Sequence, residues 1–249
     1  MTKTLKYTCS ILLFFLLQNL KSQTELNNKQ YYVAYDSIAK IQNSGLYNGS
    51  KFINEYRTSK SNFRFFKYYH FEIGDLIFDN QPFYNINLKY DLYKDLLVVK
   101  LNNNKSFFDL QLDSKKVSFF RLKNHSFYNF IENTSLKSIG VEGYIELIYK
   151  GDTISYYIKH LKKKKDKIKN NRVEHLFIKD SIHLVEVSNK FYEIKSQKDL
   201  KKLNLINENV FNKTYEGLKN LSVINYGDFI KKLIVSIDKL SATYSSKSY

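Results

Sequence analysis

From about Gly74 onward the apolar residues of this chain recur with a period of two, in short runs separated by polar connections. That period places alternate side chains on opposite faces of an extended backbone, so each run reads as a half-buried strand. In Phe83 to Tyr90 the residues Tyr84, Ile86, Leu88 and Tyr90 are expected on one face, and Asn85, Asn87 and Lys89 on the other. Parallel neighbours need a crossover of a dozen or more residues, which these connections lack. Successive strands are therefore expected to pair antiparallel.

The pattern continues along most of the chain. Asp79 to Pro82 supplies turn chemistry between Leu76-Ile77-Phe78 and that strand, and Asp91 to Asp95 separates it from Leu96 to Leu101. Phe107 to Leu112, Val117 to Leu122 and Ser126 to Ile131 follow. Tyr144 to Tyr149 and Thr153 to Ile158 flank Lys150-Gly151-Asp152, while Ile182 to Val187 meets Phe191 to Lys195 across Ser188-Asn189-Lys190. With Val173 to Ile178 the count reaches roughly ten or eleven strands, too many for a flat open sheet. The expected class is mainly β (α+β): a curved antiparallel β-meander, half-barrel or barrel-like, with short C-terminal helices.

The period lengthens after Lys195. Ser196 and Asp199 have the form of a capping box, and Asp228 can cap a last helix whose Phe229, Ile230, Leu233, Ile234, Ile237 and Leu240 form one apolar stripe. A stripe of that width reads as core packed on the sheet rather than as a membrane-surface or partner helix. From Tyr31 to Ile41, Ala34, Ile38 and Ile41 are spaced for a further short helix, while the tyrosines there would also suit a strand. With one proline, Pro82, and 8 glycines, no linker divides residues 23–249. They are expected to form a single β-rich domain with a helical segment at about 196–242.

Residues 1–22 follow a different order. Lys3 and Lys6 precede an apolar run from Ile11 to Leu17, then polar Lys21, Ser22 and Gln23, as in a secretory signal peptide cleaved near Ser22 or Gln23. The run is shorter than the ~20 residues that span a bilayer. Cys9, the single cysteine, precedes the apolar run, so neither a lipidated cysteine nor a disulfide is expected after cleavage. These features predict export to the periplasm or outer-membrane periphery, and no transmembrane span in the mature chain.

The net charge is +16, and loss of the three lysines of residues 1–22, which hold no acid, lowers it to +13. Such an excess favours anionic partners. It is concentrated at Lys159, Lys162, Lys163, Lys164, Lys165, Lys167, Lys169 and Arg172. This run reads either as a site for a phosphate-bearing glycolipid or other polyanion, or as a solvated loop between two strands. Nucleic-acid binding is disfavoured, because the adjacent Tyr156-Tyr157 alternates between core and surface in its own strand.

Catalytic signatures are missing. His70, His125, His160, His175 and His183 form no HExxH pair, and His183, in phase with Val185 and Val187, reads as a hydrogen-bonded core or rim residue. There is no GxSxG elbow and no phosphate-binding glycine loop, and the carboxylate pairs Glu142 and Glu146, or Glu186 and Glu193, are of a kind too common to mark a site. No catalytic residue, cofactor or metal is expected. Asp36-Ser37-Ile38, Asp152-Thr153-Ile154 and Asp180-Ser181-Ile182 fit the loose Asp-Ser/Thr-apolar pattern of Bacteroidota O-glycosylation.

Several segments together resemble a family of secreted proteins common in the Bacteroidota for which no activity is known. They are Leu46-Tyr47-Asn48-Gly49, GDLIFDNQPFYNINLKYDLYKDLLVVKL from Gly74, KKVSFF from Lys115, ELIYKGDTISYYIKHLKKKKDKI from Glu146 and HLVEVSNKFYEIKSQKDLKKL from His183. The resemblance implies envelope residence and carries over no site residue. The functional expectation is a non-enzymatic envelope protein that binds or scaffolds, engaging an envelope protein or an anionic glycolipid with peripheral membrane contact. The competing expectation is an envelope hydrolase built on carboxylates or histidines that no motif marks.

Overall fold

Tight turns between the strands are made where the backbone turns left-handed at short polar residues. Asp79 and Asn80 have φ of 52° and 62°, and Ser188 and Asn189 have φ of 50° and 62°. Consecutive positive φ values give two-residue turns whose twist matches that of the flanking strands. Lys190 and Pro82, expected in turns, therefore belong to strands.

The computed structural model describes residues 29–34, 45–56, 61–100, 109–169 and 172–245. Residues 1–22, expected to form a signal peptide, with Cys9, and Ile38, Ile41 and Phe107 lie outside the described residues. The strands are β1 (Ser50–Lys51), β2 (Glu72–Phe78), β3 (Gln81–Asp91), β4 (Leu96–Lys100), β5 (Asp109–Gln111), β6 (Val117–Leu122), β7 (His125–Asn129), β8 (Tyr144–Tyr149), β9 (Ser155–Lys159), β10 (Lys162–Lys169), β11 (Arg172–Lys179), β12 (Ile182–Val187) and β13 (Lys190–Glu193). The helices are α1 (29–34), α2 (Thr134–Lys137), α3 (Gln197–Lys201), α4 (Glu208–Leu218), α5 (Asn220–Ile224) and α6 (Tyr226–Ser245). Helix α6 runs for 20 residues, and Asn225 rather than Asp228 caps it, its Oδ1 accepting from the Asp228 N–H at 3.3 Å.

Eleven strands form one antiparallel sheet in the order β1-β5-β4-β3-β2-β6-β7-β8-β9-β12-β13, and β10 pairs with β11 apart from it. This is not a single meander. The chain runs outward from β2 to β5, then returns to place β6 on the other side of β2. On a flat sheet that return would cross four strand spacings, ~19 Å. The connecting residues 112–116 contain a 3₁₀ turn at Ser114–Lys116 and reach only roughly 16 Å. The sheet must curl.

The core shows the curl directly. Tyr90 on β3 and Tyr144 on β8 are also four spacings apart, yet their ring centroids are 5.7 Å from each other. Asp95 in the β3–β4 turn pins the curled edge: its carboxylate accepts from Tyr90 Oη at 2.5 Å and from Lys159 Nζ, at the end of β9, at 2.6 Å. No ladder joins the outermost strands among the described residues, so the sheet is not closed into a barrel.

A bulge resets the alternation in β3. Leu76 pairs with Phe83 and Gly74 with Ile86, so Tyr84 and Asn85 together oppose Asp75. Asn85 takes φ 57° and its N–H donates to Asp75 Oδ1 at 3.1 Å. The extra residue puts Phe83 in the core where Tyr84 was expected. Gly74 sits at this point because a Cβ there would lie 2.2 Å from the Arg121 carbonyl.

One apolar cluster, with Leu76, Leu88, Tyr90, Leu97, Phe120 and Phe127, fills the inside of the curl. Beside it Arg64 and Asp91 are fully buried with Nε 2.8 Å from Oδ2, and the guanidinium stacks over Phe52 and Tyr56. No N–H of Arg64 lies in hydrogen-bond geometry, so charge and ring stacking hold the pair. A second cluster packs Phe229, Ile230, Leu233, Ile234 and Ile237 of α6 on Ile154, Tyr156 and Val185. A third covers the opposite face, with Leu136, Tyr157, Leu184 and Phe191. Tyr156 and Tyr157 are thus both buried, one on each face, because both faces are covered there.

Candidate functional site

The lysine run is a strand, not a loop. β10 pairs with β11 in register over eight residues, from Lys162 opposite Lys179 to Lys169 opposite Arg172. Lys163, Lys164 and Lys165 stand opposite the apolar Ile178, Phe177 and Leu176, against which long aliphatic stems can lie while a charged end reaches out. Alternation sorts the arm: Lys163, Lys165 and Lys167 share one face, and Lys162, Lys164, Asp166 and Ile168 the other.

The second face anchors the arm at its base. Phe177 is buried against Tyr56 and Tyr93 at 5.8 and 5.5 Å. Lys162 Nζ donates to the carbonyls of Phe63 and Phe65 at 2.5 and 3.1 Å, and burial, with the Lys179 charge behind it, pushes its pKa down to about 8. Lys164 pairs with Asp166 at 3.0 Å. Lys159 is 4% exposed and held by Asp95. Burial lowers its pKa, with Asp95 opposing that shift.

The polyanion set inferred from sequence therefore divides. Lys159 and Lys162 are structural, and Lys164 is turned to Asp166. Lys163, Lys165 and Lys167 are exposed, and only Lys163 has a carboxylate partner among the described residues, Asp180 at 2.6 Å. The side chains of Lys169 and Arg172 lie outside the described set. Near the tip Ile168 and Val173 are 78% and 57% exposed.

A second constellation escaped the sequence reading. β7, β8 and the residue that follows β9 bring His125, Glu146 and His160 together: His125 Nδ1 meets Glu146 Oε1, and His160 Nε2 lies 2.5 Å from Oε2. Phe66 packs edge-on to both imidazoles at 5.1 and 4.9 Å. Lys67 Nζ is 3.0 Å from His125 Nε2, and Ser181 Oγ is 3.5 Å from His160 Nδ1. Glu146 is 4% exposed. Burial would raise its pKa, but the hydrogen bonds from His160 and His125 outweigh that and hold it below the ordinary carboxylate value.

His183 is hydrogen-bonded, through Nδ1 to Tyr156 Oη at 2.6 Å, and half-buried against Tyr226. Burial lowers its pKa, followed by the charge of His160. No group of three His, Cys, Asp or Glu among the described residues is arranged to hold a metal ion. Of the Asp-Ser/Thr-apolar triplets, Ser181 is exposed, Thr153 is half-buried and Ser37 lies outside the described residues. No helix of the described residues is long and apolar enough to cross a membrane. No protein-family model, curated protein or solved structure matches the chain.

Proposed function

We propose that this is an exported, non-enzymatic binding protein of the cell envelope that engages phosphate-bearing glycolipid or lipid surfaces through the β10–β11 arm. The observation that carries the reading is the exposed arm itself: one face presents Lys163, Lys165 and Lys167 with the half-exposed Ile178 opposite Lys163, and the tip of the other face presents the apolar pair Ile168 and Val173. Cationic groups flanking exposed apolar ones suit a surface with charged headgroups over hydrocarbon. Envelope residence rests on the order of charged, apolar and small residues in positions 1–22.

Sedimentation with vesicles containing anionic phospholipid tests this. Each lysine near such a surface contributes ~1 kcal/mol, so K163E/K165E/K167E is expected to weaken binding by roughly 100-fold or more. Binding should also weaken as salt screens the charges. Equal binding to neutral vesicles, or an indifferent triple variant, overturns the reading.

One observation favours a hydrolase as second reading: Glu146, His160 and Ser181 are connected in the order orienter, base and hydroxyl. A serine-directed phosphonate probe should then label the protein at Ser181, and Ser181→Ala should abolish labelling. An unmodified intact mass removes that reading.

A further inference from the structure

The helices enclose a feature that neither the arm nor the histidine cluster uses. Between α3, the connection that follows it, α4 and α6 lies a cavity of about 260 Å³. Its apolar wall is made by Leu200, Leu205, Ile206, Phe211 and Ile237, of which Leu200, Phe211 and Ile237 are 3%, 3% and 2% exposed. Its polar lining is Lys201, Lys202, Asn204 and Glu208.

The charges at the mouth are unequal. Lys201 Nζ lies 3.3 Å from Glu208 Oε1, and Lys202 Nζ lies 3.9 Å from Asp199 Oδ1, which is already engaged by Ser196 through Oδ2. Lys202 is exposed and its ion contact is at the outer limit of an ion pair, so it is available to a second anion. Glu208 occupies the first turn of α4, whose amino-terminal N–H groups add positive potential at the same place. Apolar walls with two lysines at the mouth, one of them held only by a 3.9 Å contact, complement a molecule that is hydrocarbon at one end and anionic at the other.

From these features we infer that the helical cavity binds a medium-length alkyl anion, with the chain against Leu205, Ile206 and Phe211 and the head at Lys201 and Lys202. Size sets the length. An apolar cavity of ~150 Å³ takes benzene, and on that scale this one takes roughly ten carbons. The site is independent of the arm, so each can fail without the other.

Calorimetric titration of the full chain with decanoate tests the inference, with decanol, octanoate and inorganic phosphate as comparisons. Decanoate should bind at one site, octanoate roughly tenfold more weakly for two lost methylenes, and phosphate not measurably. Lys201→Ala with Lys202→Ala should weaken decanoate several-fold while leaving decanol unchanged. Leu205→Trp, or the milder Ile206→Phe if the first lowers the melting temperature, should fill the space and abolish binding of both while vesicle binding persists. Absence of decanoate binding by the wild-type chain overturns the inference. So does binding indifferent to both filling variants, or binding lost in K163E/K165E/K167E, which would place the anion on the arm.

Discussion

Glu146 is an ionised carboxylate almost without water, and its two oxygens are divided between His125 and His160. Charged hydrogen bonds of this kind contribute more than neutral ones, so Glu146→Gln is expected to lower stability by about 2 kcal/mol at pH 7. Because the folded pKa lies below the ordinary 4.5, the advantage of the wild-type carboxylate is fully present above that pH and is lost as the pH falls through the folded value. Denaturant titrations of both proteins between pH 7 and pH 3 check this. A difference independent of pH would show that the carboxylate is not the stabilising form. Nothing local marks Glu146 among the acids of the chain. The alternation sets the side of the strand to which it points, but its meeting with His125 and His160 depends on the registers of β7, β8 and β9.

Helix α6 is docked by one side chain as well as by its apolar stripe. Asp238, 5% exposed, accepts from the N–H groups of Thr153 and Ile154 at 2.8 and 3.1 Å and from Tyr149 Oη at 2.8 Å. Gly151 leaves room for it, since a Cβ there would approach Asp238 Oδ2 to 2.5 Å. Asp238→Ala would leave these donors without their acceptor, at a cost of about 3 kcal/mol. Hydrogen exchange of the α6 amides should accelerate more than that of β2 and β3. Uniform acceleration would mean that the helix does not open separately from the sheet. The stripe itself was legible, because its spacing of three and four residues is local: five of its six residues are buried. Asp238 was not, because its partners are more than eighty residues away in sequence.

At the scale of the molecule, the curled sheet and the arm are separable. The arm is anchored by Lys162 and Phe177 at its base, and beyond Lys164 its exposed lysines contribute charge rather than core. Replacing residues 165–176 by Asn-Gly, between the register partners Lys164 and Phe177, should leave the melting temperature within about 3 °C and remove binding to anionic vesicles. A large loss of stability would show that the distal arm packs on the sheet, and full vesicle binding would exclude it as the contact surface. The alternation, the turn residues and the helical stripe are properties of neighbours in sequence, so they determined by themselves that this chain makes many short antiparallel strands with helices packed on them. The inserted residue at Asn85, the return of β6 to β2, the burial of Lys159 and the His125–Glu146–His160 contact were decided only in three dimensions. Each depends on which distant backbone pairs with which, and on a curl forced where a short connection must span several strands.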